Sequence, residues 1–185
     1  MRGGIRKSRN GCVLHGALYT LGSLQGVVPI VHSTAGCVLQ AYEAQKYGGP
    51  DDGLISGFEV PNTNVQERHV IFGGASRLRE QIKNTLRVQN ADLYVVLNSC
   101  ESAMVGDDTD AMTKEVVEQG EPVINSVLAG FHGDVHRGYE NAMENLFKKI
   151  PTVFSDRLQK SERNVNILGI LPQQDIFYKG DLYEI

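Results

Sequence analysis

Apolar positions along the chain follow two periods that alternate. Short runs rich in β-branched residues, "GVVPIVH", "HVIFGG", "DLYVVL", "PVINSVL" and "NVNILGIL", predict strands. Between them "CVLHGALYTLGSLQ", "TAGCVLQAYEAQKY", "ASRLREQIKNTLRVQ", "DDTDAMTKEVVEQG" and "DVHRGYENAMENLFKKI" space their apolar residues three and four apart, which predicts helices. Leu78, Ile82 and Leu86 mark the apolar face of the third of these. Acids open the fourth and Gly120 stops it. Pro29 marks "GVVPIVH" as an edge strand or a strand end. The breaker cluster "GGPDDG" starts a segment to about Thr63 that reads as a loop. Strands alternating with helices of this length build βαβ crossovers. The expected fold is therefore α/β, a parallel sheet with helices on both faces, doubly wound.

At 185 residues the chain is expected to form a single domain with a real core. Its last residues, "KGDLYEI", look like the cap and first turn of another helix, with Asp181 as N-cap. Residues 1–185 thus read as one α/β domain cut from a longer, multi-domain subunit. An apolar content of 41% and a charged content of 22% are ordinary for a soluble protein. The net charge of −4 argues against nucleic-acid or membrane-surface binding. No apolar run approaches the roughly 20 residues of a membrane span. "MRGGIRKSRNG" is basic, but no continuous apolar stretch succeeds it, because His15 and several glycines interrupt. No signal peptide is therefore expected, and the compartment reads as cytoplasmic and reducing. Three cysteines, an odd number, fit a disulfide framework poorly and leave ligands, nucleophiles or buried thiols.

In open parallel sheets ligands gather beyond the carboxyl ends of the strands. Cys37 follows "VVPIVH" and Cys100 follows "DLYVVL", so both belong on that rim, while Cys12 precedes its own helix. Each lies at or near a helix start, where backbone N–H groups favour a thiolate. Gly11 and Gly36 immediately precede two of them and would let N–H groups approach sulfur. A free cysteine is by itself usually a small core residue. Three of three in such positions favour a shared metal–sulfur pocket, although their spacing matches no short regular motif. Zinc would need a fourth ligand, for which His15 and His32 are candidates. An iron–sulfur cluster usually takes four cysteines, so a partner chain would supply the rest.

The motifs "GC" near the N-terminus, "HSTAGC", "IFGG", "SCESAMVGDD" and "AGFHGDVHRGYENA" resemble the first domain of the nitrogenase component-1 family. That family comprises catalytic α and β subunits, cofactor-assembly scaffold subunits and nitrogenase-like reductases. The resemblance runs from about Gly11 to the end, and its most specific part is the cysteine followed closely by Gly-Asp-Asp. It implies that Cys12, Cys37 and Cys100 are ligands of an iron–sulfur cluster, P-cluster-like or 4Fe–4S, shared with a homologous subunit. It also implies an ATP-dependent iron protein as electron donor, and an electron-relay role within an oxidoreductase complex whose complete active site this chain does not carry.

The chain departs from the family pattern in two places. The loop reads "HSTAGC" where the family commonly has a Gly-Pro pair before Gly-Cys. "LAGFHG" carries Gly130 where some β subunits have a serine that can ligate an oxidised P-cluster. Two rival readings stand beside electron relay: a scaffold for cofactor assembly, and a zinc-bound or metal-free α/β binding domain. Asp107 and Asp108 read as structural and capping. Tyr19, Phe58, Tyr94 and Phe131 read as core or interface residues, and Arg77, Arg79 and Lys83 as a solvated helix face. "IFGGAS" could hold a phosphate at a helix start, but a lone Gly-Gly is more often a tight turn.

Overall fold

The computed structural model describes residues 11–48 and 60–155. Its organising element is the strand β2 (Leu93–Asn98), which is buried at every position. It is central to a parallel sheet in the order β1–β2–β3, with β1 at Val27–His32 and β3 at Val123–Val127. Side chains alternate across the sheet, so a strand covered on both faces must be apolar throughout. Leu93, Val95 and Leu97 enter one core, and Tyr94 and Val96 the other.

The first core is closed by α1 (Val13–Gly22), α2 (Ala35–Gly48) and α7 (Val135–Val153), through Leu14, Leu18, Ala41, Ala142 and Leu146. On the opposite face lie α4 (Ala75–Val88) and α6 (Thr109–Val117), which contribute Leu78, Ile82 and Val116. The doubly wound α/β arrangement expected from the alternation is therefore present. Arg79 and Lys83 of α4 both pair with Glu115 of α6, at 2.8 and 3.5 Å. Those charges join two helices besides facing solvent.

α1 and α7 approach until their backbones touch. A Cβ on Gly16 would stand 2.0 Å from the Val135 carbonyl oxygen, and one on Gly138 would stand 2.1 Å from that of Val13. Only hydrogen fits at either place. The contact anchors the starts of both helices together: Val13 N–H donates to the Gly133 carbonyl at 3.2 Å, and Cys12 bridges Asp134.

One expected strand is a helix. "HVIFGG" lies in α3 (Glu67–Phe72), with no buried residue, and Val70, Ile71 and Phe72 are exposed. The run is only three apolar residues long, too short for strand and helix patterns to be told apart. Local capping decides it: Gln66 N–H donates to His69 Nδ1 at 2.9 Å, and Gly73, at φ 89°, ends the helix. The outer edge of β1 is instead covered by an extended stretch just upstream. There Val31 N–H donates to Pro61 O, Thr63 N–H to Val31 O, and Val65 N–H to Ser33 O, at 2.8–3.0 Å. α3 packs against α5 (Cys100–Val105), which comes directly after β2. The expected strand "NVNILGIL", the terminal cap at Asp181, and Phe58 lie outside the described residues.

Candidate metal centre

Cys12, Cys37 and Cys100 are all free and half-buried. Cys12 is the N-cap of α1, Cys37 lies in the first turn of α2, and Cys100 opens α5 immediately after β2. The loop after β3 brings two of them together. A Cβ at Gly130 would lie 2.9 Å from Cys12 Sγ and 3.1 Å from Cys100 Sγ, so both thiols close on one glycine. The Gly130 N–H also donates to Cys100 Sγ at 3.0 Å. Such N–H···S bonds orient a ligand sulfur and tune a metal bound to it.

Cys37 is joined to the group through His15. Cys12 N–H donates to His15 Nδ1 at 3.1 Å, so the neutral ring carries its proton on Nε2 and donates it to the Cys37 carbonyl at 3.0 Å. His15 Nδ1 also lies 3.5 Å from Cys12 Sγ. Burial opposes ionisation of Cys12, but hydrogen bonds from His15 and the nearby backbone, with the ring's charge when it is protonated, outweigh it and hold the thiol below its usual value. Cys37 goes the other way: burial first, then the Glu101 carboxylate, push it up. The two thiols are thus electrostatically distinct.

Of the two glycines that precede cysteines, only one is confined. Gly11, at φ +109°, has His15 against the place of a Cβ, whereas Gly36 faces open space. The crowded glycine beside sulfur is Gly130, which stands out in the sequence only for its missing hydroxyl.

Both candidate fourth ligands are otherwise engaged. His15 uses both ring nitrogens, on the Cys12 backbone and the Cys37 carbonyl. His32, fully buried at the end of β1, bonds Thr63 Oγ1 through Nδ1 at 2.9 Å and Asp107 Oδ2 through Nε2 at 3.0 Å. Asp107 also accepts from Gly74 N–H at 2.7 Å, while Asp108 caps α6 by accepting from Ala111 N–H at 2.9 Å. Both aspartates are structural, as expected, but only Asp108 caps a helix. Burial, opposed by Asp107, holds His32 below its usual value, so it is neutral near pH 7. Among the described residues no three His, Cys, Asp or Glu side chains converge as a single metal ion would require. Zinc held by three cysteines and a histidine is therefore not what this geometry offers.

Tyr94 is a core residue whose hydroxyl donates to the Gln89 carbonyl at 2.5 Å, and Phe131, beside Gly130, is 62% exposed. No helix among the described residues is long and apolar enough to cross a membrane.

A parallel α/β domain carrying three free thiols at its strand-end rim defines the class of protein. The chain belongs to the nitrogenase component 1 type oxidoreductase family, whose pattern it matches over residues 12–185. It is 29% identical over 168 residues to the nitrogenase iron-iron protein alpha chain of Rhodobacter capsulatus, covering 88% of this chain and 31% of that one. It is 30% identical over 167 residues to the nitrogenase iron-molybdenum cofactor biosynthesis protein NifE of Clostridium pasteurianum, covering 88% of this chain and 35% of that one. The chain thus spans about a third of the length of these relatives. A solved structure, nitrogenase Cp1 at pH 5, superposes with a TM-score of 0.74 at 22% identity, over 96% of this chain and 37% of that one, and so shares the fold.

Proposed function

We propose that Cys12, Cys37 and Cys100 bind an iron–sulfur cluster that a homologous subunit completes, and that the domain relays electrons within a nitrogenase-like oxidoreductase. The observation that carries this reading is the convergence of Cys12 and Cys100 on Gly130, a cradle that any side chain would fill. The donor set suits a cluster better than a single ion, because thiolates bound to different irons need not meet at one point. Three ligands leave such a group incomplete, so the remaining thiolates come from the partner.

When bound, the cluster would supply one-electron chemistry, taking electrons from an ATP-dependent iron protein and passing them toward a catalytic cofactor. The chain's own residues hold and tune it. His15 fixes the Cys12 backbone against the Cys37 carbonyl, and Gly130 N–H places positive dipole on Cys100 Sγ. The Gly16–Gly138 contact anchors Cys12 at the start of α1. A second reading, a scaffold that holds cofactor precursors, is favoured by the similarity to NifE. It uses the same three thiols and differs in what the remainder of the protein carries.

Single Cys→Ser variants at the three positions, each co-expressed anaerobically with the homologous subunit, test the ligand assignment. Each should retain less iron than wild type, and less than a Lys148→Gln control on the exposed face of α7. Undiminished iron in all three variants would end the assignment.

A further inference from the structure

Glu101 follows Cys100 at the head of α5 and is half-buried. Both of its oxygens are engaged: Ser99 Oγ donates to Oε2 at 2.5 Å and Thr34 Oγ1 donates to Oε1 at 3.0 Å. Ser99 belongs to the loop that carries Cys100 and Thr34 to the loop that carries Cys37. One carboxylate therefore ties two thiol-bearing loops together.

The Thr34 hydroxyl also lies 4.0 Å from Cys37 Sγ. A hydroxyl has one proton to give. While Glu101 takes it, Cys37 sulfur receives no hydrogen bond from Thr34. Two hydroxyls donating to its oxygens favour the carboxylate form of Glu101. A fixed negative charge thus stands one hydroxyl away from a ligand sulfur, and it also diverts that hydroxyl's proton.

We propose that Glu101 lowers the reduction potential of the cluster held by Cys37 and Cys100. This inference rests on the cluster reading given above. Reduction adds one electron and so one negative charge. A nearby carboxylate disfavours the reduced state, and a hydrogen bond withheld from the ligand sulfur acts in the same direction.

The test is a redox titration, with dithionite as reductant, of the complex with its homologous subunit, followed by the cluster's absorbance. Glu101→Gln keeps the size and hydrogen-bonding reach of the side chain and removes its charge. Iron content should stay at the wild-type level while the midpoint rises by about 59 mV. That is the one-electron equivalent of a tenfold change, the order expected for a charge at this range. Glu101→Asp, which restores the charge, should return the midpoint toward wild type. Thr34→Val breaks the tie between the loops, keeps the charge, and should not raise the midpoint. An unchanged or lower midpoint in Glu101→Gln with iron intact would overturn this inference alone. Loss of the cluster from that variant would make Glu101 a clamp and also overturn it. A wild-type complex without iron and sulfide would overturn the cluster reading, and this inference with it.

Discussion

Replacing Gly130 with alanine would insert a methyl between two sulfurs. The new Cβ would stand 2.9 Å from Cys12 Sγ, 3.1 Å from Cys100 Sγ and 3.3 Å from Cys12 Cβ. Its backbone does not oppose the change, because Gly130 begins a short 3-10 turn and is not among the glycines at positive φ. Freed of crowding, alanine there would stabilise the fold by about 0.4–1 kcal/mol through the unfolded chain. Overpacking of this kind costs about 1–3 kcal/mol. With no metal bound, the two half-exposed thiols can turn aside, and the net loss should be near the lower end, about 1 kcal/mol. With both sulfurs fixed by iron they cannot turn, so the bound state bears up to about 3 kcal/mol against about 1 kcal/mol without metal, a difference of up to about 2 kcal/mol and a hold up to about thirtyfold weaker. Iron loss to a chelator from the anaerobic complex, beside its thermal melting curve, separates the two effects. Iron loss should accelerate severalfold, up to about thirtyfold, while the melting temperature falls by only a few degrees. A Gly130→Ala complex that surrenders iron no faster than wild type would show that this glycine does not border the bound sulfurs.

Three other perturbations test the framework around the site. Gly16→Ala or Gly138→Ala drives a methyl to about 2 Å from a carbonyl oxygen of the facing helix, and each should cost about 3 kcal/mol, the upper end of the usual overpacking range; unaltered melting of either variant would contradict the backbone contact. His32 is held below its ordinary value of 6.5 by burial, so the unfolded chain takes up its proton first as pH falls and the folded state loses stability below about pH 6.5. His32→Gln should flatten that decline between about pH 6.5 and 5 in denaturation midpoints, and parallel curves for the two proteins would contradict the buried neutral state. His32→Gln should also cost about 1–3 kcal/mol at about pH 7.5, because Thr63 and Asp107 lose their buried partner; an equally stable variant would show that the network adds nothing.

The central strand and the main helices were legible because β2 is a continuous apolar run buried on both faces, while α4 and α6 keep a helical period whose apolar side is the buried one. Leu78 and Ile82 are fully buried, as their spacing implies, and Leu86 packs against the same core. "HVIFGG" was not legible, since its fate rests on a cap at Gln66 and on the absence, among the described residues, of any layer to bury Val70, Ile71 and Phe72. The rim positions of the cysteines follow from strand ends and helix starts. Their mutual geometry does not, because it depends on Gly130, which the chain returns to the site only after β3. Cys12 and His15 stand three residues apart, the spacing of a capping box, and that signal could have shown His15 to be a backbone lock. The His32–Asp107 pair joins residues 75 apart, a contact that no local pattern encodes.

The most direct test of the central claim is iron and acid-labile sulfide analysis of the complex purified anaerobically with its homologous subunit. Iron and sulfide in similar amounts, both falling when Cys12, Cys37 or Cys100 is replaced, are expected. Zinc, or no metal at all in the intact complex, would contradict the cluster and leave an α/β domain that keeps the family's fold without its redox chemistry.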